Sequence, residues 1–109
     1  MVKRSRKIEI RVKKGFKLAL KASRYTRWGE TLPLEGVRIP VYDAIYFSLI
    51  KECYTPCEVI LPAGLAVRII APATAYSYVF VEWSDGKRER DRVINMVKDI
   101  ELEARYSPP

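Results

Sequence analysis

Histidine is absent from this chain of 109 residues, and so is glutamine; asparagine occurs once, at Asn95. Without imidazole the commonest general acid or base is missing, and with it every Ser–His or Cys–His nucleophile pair. Cysteine is nearly absent too, with only Cys53 and Cys57. Zinc takes four Cys or His ligands in a structural site and three in a catalytic one, so a single chain cannot build a typical zinc site. Only a four-cysteine site shared across a dimer would serve. The pair otherwise reads as a short-loop disulfide or as two buried thiols, and the sequence leaves that choice open. The five glycines are dispersed, and none opens a phosphate-cradling loop. No catalytic residue, metal or cofactor is expected.

Long apolar runs are missing as well. The most apolar stretch, "VILPAGLAVRII" at residues 59–70, is too short to cross a bilayer and contains Pro62, Gly64 and Arg68. The opening "MVKRSRK" runs into "IEIRVKK" where a secretory leader needs an unbroken apolar stretch. The expectation is a soluble, cytoplasmic protein with no membrane span. Scarce amides beside 30% charged residues lean toward a thermophilic archaeal or viral source. With 49% hydrophobic residues the chain can bury a core as a single domain, 1–109, with a basic arm at 1–6 and a frayed tail at 107–109.

What is abundant is positive charge, and it is unevenly placed. The net charge is +7, yet residues 1–27 hold eleven Lys or Arg against Glu9 alone, while residues 28–109 hold nine against twelve acids. The basicity belongs to the N-terminal quarter, which should attract a polyanion or an acidic protein surface.

That quarter alternates. Ile8, Ile10, Val12, Phe16, Leu18 and Leu20 stand on even numbers, with Lys7, Arg11, Lys13, Lys17 and Lys21 on odd ones. A period of two predicts strand, and "KKG" at 13–15 predicts a three-residue hairpin loop with Gly15 at positive φ. Val12 would then face Phe16, Ile10 Leu18, and Ile8 Leu20. A helix over 15–28 competes, but Leu18 and Ala22 fall off its face, so strand is preferred. "SRYTRWGETLPLEG" reads as a connecting loop. In "PVYDAIYFSLIKECYTPC", Asp43 stands where an N-cap belongs, Ile45, Tyr46, Leu49 and Ile50 are spaced for a helix, and Pro56 stops the run. One buried helix is predicted at about 42–53.

Beyond it, "EVIL", "LAVRII" and "YSYVFVEW" read as strands, "PAG" and "SDGK" as turns, and "DIELEARY" as a final alternating strand. Residues 88–98 stay undecided between helix and strand, because Val93, Met96, Val97 and Ile100 are spaced like a helical face. The predicted fold class is α+β and β-rich: a small antiparallel sheet or SH3-like barrel with an N-terminal β-hairpin and one buried helix.

Three constellations bear on function. Lys3, Arg4, Arg6, Lys7, Arg11, Lys13, Lys17 and Lys21 form a surface suited to tracking phosphates; the bland alternative is a solvated face neutralised by Glu101 and Glu103. Arg24, Tyr25, Arg27 and Trp28 interleave cations with aromatics, which suits nucleic acid or a protein interface. Tyr76, Tyr78 and Phe80 recur on one side of a strand as a base-stacking platform or, more commonly, as core. The leading expectation is a non-enzymatic, sequence-nonspecific nucleic-acid-binding protein, with DNA or RNA undecided and a homo-oligomer compatible with either. The alternatives are an assembly subunit of a nucleoprotein complex or virion that docks on an acidic partner, and a histidine-free ribonuclease using Lys, Arg and Tyr.

Overall fold

The computed structural model describes residues 15–109. The period of two read at residues 16–22 is the period of β1 (Gly15–Tyr25): Leu18, Leu20 and Ala22 are buried while Lys17 and Lys21 are exposed. The chain continues through β2 (Thr31–Pro33), β3 (Arg38–Asp43), β4 (Leu49–Tyr54), β5 (Cys57–Pro62), β6 (Ala66–Ile70), β7 (Thr74–Ala75), β8 (Tyr78–Trp83), β9 (Asp91–Asn95) and β10 (Ile100–Ser107). One sheet runs β2-β1-β10-β8-β7, with β5 also paired to β1; the other runs β4-β3-β6-β9. No helix occurs among the described residues, and so none long and apolar enough to cross a membrane.

β1 and β10 are parallel, in register from Leu18↔Ile100 to Arg24↔Tyr106. Every other pairing among the described residues is antiparallel. The two sheets share one core. Leu18, Leu20, Leu61, Trp83, Leu102 and Tyr106 come from the first sheet, and Ile39, Val41, Val67, Ile69 and Ile94 from the second. Each fully buried Leu or Ile contributes on the order of 1.5–3 kcal/mol. The polar tips of the large aromatics are satisfied inside it: Trp83 Nε1 donates to the Glu89 carbonyl (2.7 Å) and Tyr106 Oη to the Pro72 carbonyl (2.8 Å). Burial pushes the Tyr106 phenol above its ordinary pKa.

The β-rich expectation holds, but three parts of the predicted fold do not. The first is the hairpin. Its first arm, 8–12, lies outside the described residues. Its second arm cannot pair there through Leu18 and Leu20, because β5 occupies one edge of β1 at these residues and β10 the other. Gly15 is not a loop residue. It pairs with Pro62 as the first residue of β1, and a Cβ there would meet Ile60 Cγ2 at 2.8 Å. Close approach of β5, rather than positive φ, explains its glycine.

The second is the helix at 42–53, which is a β-hairpin. Asp43 does cap a turn: its Oδ1 accepts from the N–H groups of Ile45 (2.8 Å) and Tyr46 (3.0 Å). The chain then reverses, with Phe47 at φ 58° and the Asp43 N–H donating to the Ser48 carbonyl. A helix of a dozen residues is marginal alone. Pairing 49–54 with β3 instead completes a ladder and sets Cys53 against Ile39 in the core. On the same strand, Lys51 pairs with Val41 and so stands on the core-facing side, yet remains exposed.

The third is the sheet itself: two sheets with a parallel central pair replace the small antiparallel sheet or SH3-like barrel. The undecided 88–98 region contains β9, where Ile94 and the adjoining Met96 are buried and Val93 and Val97 exposed. The stretch read as a connecting loop at 23–36 is partly strand, with a tight reversal between β1 and β2 closed by Thr26 N–H to Glu30 O (2.8 Å).

Because Asp43 Oδ1 holds two N–H groups of a reversal containing a strained Phe47, Asp43→Ala should lower unfolding stability by about 0.5–2 kcal/mol, as loss of a helix cap does. Urea denaturation measures it, and an unchanged midpoint would show that the carboxylate does not hold the turn.

Candidate nucleic-acid interface

On the solvent face of the first sheet, Lys17 and Lys21 do not form an open row of positive charge. Lys17 Nζ lies 3.7 Å from Glu58 and Lys21 Nζ 2.7 Å from Glu101, with Glu103 in register beside Lys21. The hydrogen bond to Glu101 is the main cause of a raised Lys21 pKa, and the same contact lowers that of Glu101. Arg105 is likewise held by Glu103 at 2.9 Å. Over these strands the cross-strand neutralisation weighed from the sequence is what the side chains make. Lys3, Arg4, Arg6, Lys7, Arg11 and Lys13 lie outside the described residues.

The other basic candidates come together. Arg24 keeps the parity of Leu18, Leu20 and Ala22, so β1 aims it along the core-facing side of its sheet, but it lies past the last buried residue of that row. Its guanidinium reaches across β10 and lies over the Tyr78 ring, 5.1 Å from the centroid. At the β1–β2 reversal the Arg27 guanidinium lies 6.0 Å from the Trp28 centroid. The Trp28 side chain is exposed (79%), and the residue's backbone N–H donates to Thr26 Oγ1 at 3.2 Å. Tyr25 is fixed by its hydroxyl, which donates to Glu82 Oε2 at 3.0 Å.

These residues, with Thr26 and Pro108, line an open groove of about 630 Å³. Among the described residues neither Arg24 nor Arg27 has a carboxylate within 4 Å. Two such guanidinium groups, each against an aromatic face, and one solvent-facing indole can take a phosphate and stack an unpaired base at the same time.

The aromatic stripe divides. Tyr76 and Ser77, at φ 51° and 71°, form the tight turn between β7 and β8, so Tyr76 is off the strand. Its hydroxyl donates to the Glu35 carbonyl at 2.6 Å, away from the groove. Phe80 packs on the core, edge to face with Trp83 and Tyr106 at 5.7 and 5.6 Å. A bulge between Arg105 and Tyr106 in the β10–β8 ladder allows Trp83 and Phe80 to turn to one side despite their odd and even numbers. Of the three, Tyr78 alone reaches the groove. Its place beside Arg24 was hidden because it depends on β8 lying two strands from β1. The continued even-number parity of Arg24 was the available clue.

Cys53 and Cys57 stand at the β4–β5 junction with Cα atoms 5.8 Å apart, the separation of a disulfide. Among the described residues no three Cys, Asp or Glu side chains gather to hold a metal ion. Comparison with known proteins finds no matching family model, no similar curated protein and no similar solved structure.

With the two cysteines at that separation, intact mass after reduction should rise by about two hydrogens, and alkylation without reduction should label neither. Labelling of both thiols in unreduced protein would show them free.

Proposed function

We propose that this protein binds single-stranded nucleic acid without catalysing a reaction on it, and that the groove of Arg24, Arg27, Trp28 and Tyr78 is where the strand lies. The observation that carries this reading is the exposed Trp28 beside arginines that face no carboxylate among the described residues, while the lysines of β1 are neutralised by glutamates. An indole facing water offers a flat surface, and a base stacked on it gains about 1–3 kcal/mol whatever its identity. Guanidinium groups beside it supply phosphate contacts, which position a strand without reading sequence. The seven Lys and Arg of residues 1–14, set against a single Glu, add long-range attraction for the same polyanion. The groove has no feature that separates DNA from RNA.

The test is fluorescence anisotropy with short single-stranded DNA and RNA across a salt series. Wild-type affinity should fall with a log–log slope of about 0.7 per phosphate neutralised. Trp28→Ala should weaken binding by about 1–3 kcal/mol with an unchanged melting temperature, since the ring packs on no core residue. Arg24→Ala and Arg27→Ala should each reduce the salt slope. Lys21→Ala should change affinity far less, because its ammonium already serves Glu101. Phe80→Ala should do the opposite of Trp28→Ala, costing about 3 kcal/mol of stability while leaving binding near wild type well below the melting point. If Trp28→Ala and both arginine variants bind as wild type does, the groove is not the site.

A further inference from the structure

Two consecutive residues of the β7–β8 turn, Tyr76 and Ser77, hold φ at 51° and 71°. Residues with a Cβ occupy that left-handed region at a cost, and a two-residue hairpin turn ordinarily places Asn and Gly there. Neither residue lines the groove of Arg24 and Trp28, and Tyr76 is 62% exposed, so core burial does not account for the tyrosine. Such strain persists only where the surroundings fix it. Here the phenol fixes it. The Tyr76 hydroxyl donates to the Glu35 carbonyl at 2.6 Å, across forty-one positions of sequence. Gly36 makes room for that contact, since a Cβ there would lie 3.1 Å from Tyr76 Oη.

The receiving end of the contact is firm. Buried Thr55, between β4 and β5, accepts from the Val37 N–H through Oγ1 (3.1 Å) and donates to the Leu34 carbonyl (2.9 Å). Its own carbonyl takes the Gly36 N–H (2.6 Å), and its N–H serves the Val37 carbonyl (3.0 Å). The Leu34 N–H donates to the Ala22 carbonyl of β1 (2.8 Å), so both neighbours of Glu35 are tied down. The other end has little else to hold it. β7 is two residues long and outermost in its sheet, and the β8–β10 ladder ends at Val79↔Ser107. Tyr78 lies one residue past that end, with Ala75 of β7 as its ladder partner.

We infer, on the reading that the groove holds the strand, that Tyr76 is a positioning residue for binding. Its hydroxyl, anchored on Glu35, sets the β7–β8 turn so that the Tyr78 ring stays against the Arg24 guanidinium. Among the described residues Arg24 has no carboxylate within 4 Å, so the ring is what keeps this long side chain in one arrangement before a phosphate arrives. Holding it ready removes an ordering cost from the binding step. Tyr76 does this from outside the groove, without touching the ligand.

Tyr76→Phe removes the hydroxyl and leaves the ring. In fluorescence anisotropy with a short single-stranded DNA it should weaken binding about two- to tenfold, the worth of one long side chain held in place. In an Arg24→Ala background the same change should weaken binding no further, whereas in a Trp28→Ala background its effect should persist in full. Without ligand, the Arg24 side-chain proton resonances, shifted by the Tyr78 ring, should move in Tyr76→Phe toward those of a free arginine. Tyr76→Asn accepts positive φ but is too short to reach Glu35, and it should bind as weakly without a lower melting temperature. Wild-type affinity in Tyr76→Phe overturns the inference. So does an equal loss in both backgrounds, and so do Arg24 resonances that stay in place. If instead Arg24→Ala and Trp28→Ala themselves bind as wild type does, the groove is not the site and the inference falls with that reading.

Discussion

The parallel pairing of β1 with β10 is the contact on which the remaining structure depends. It is the middle of the first sheet: β2 and β5 extend it from β1, and β8 and β7 from β10. It also sets three core residues of β1, Leu18, Leu20 and Ala22, in register with Ile100, Leu102 and Ala104. Both strands alternate apolar and polar residues, so a slip of one position would turn the apolar set of one of them, Leu20's or Leu102's, to water. The register is held at its start by Asp99, whose Oδ1 accepts from the Lys17 N–H at 2.8 Å. Because the partners are parallel, no tight turn joins them, and β2 to β9 are all built within the intervening chain.

The same register disposes of the positive charge along β1. Lys21 meets Glu101 and Glu103 only because β10 runs alongside β1 in this direction. Residues 15–109 carry thirteen basic and twelve acidic side chains, so the body is almost neutral and the excess lies in residues 1–14. What distinguishes Arg24 and Arg27 from Arg38, Arg68, Arg92 and Arg105 is therefore their surroundings rather than their charge. They lie against aromatic rings with no carboxylate within 4 Å among the described residues, whereas Arg38, Arg68, Arg92 and Arg105 each hold a carboxylate.

Strands were legible wherever one face is wet and the other dry. β1 and β10 show this, as their even-numbered residues are buried with few exceptions. The Asp43 cap was legible too, but the same residue types open a helix and close a tight reversal. The choice between them depends on whether a neighbouring strand edge is free, and β3 offers one. Gly15 illustrates a different limit, since its reason for being glycine is Ile60, forty-five positions away. The groove was half visible. Arg24, Tyr25, Arg27 and Trp28 lie within five consecutive positions, whereas Tyr78 joins them through strand order, which local pattern does not encode.

Lys51 bears on the open edge of the second sheet. β4 is the outermost strand of its sheet, and an outermost strand offers unsatisfied backbone groups to any other strand, which can lead to open-ended stacking. Lys51 stands on the core-facing side of that strand and needs water around its ammonium, so a further strand laid along β4 would have to strip it. Addition of a strand along β4 is opposed by that cost. One inward-pointing lysine thus does for an open strand edge what a covering loop or helix would do, at the expense of a single side chain.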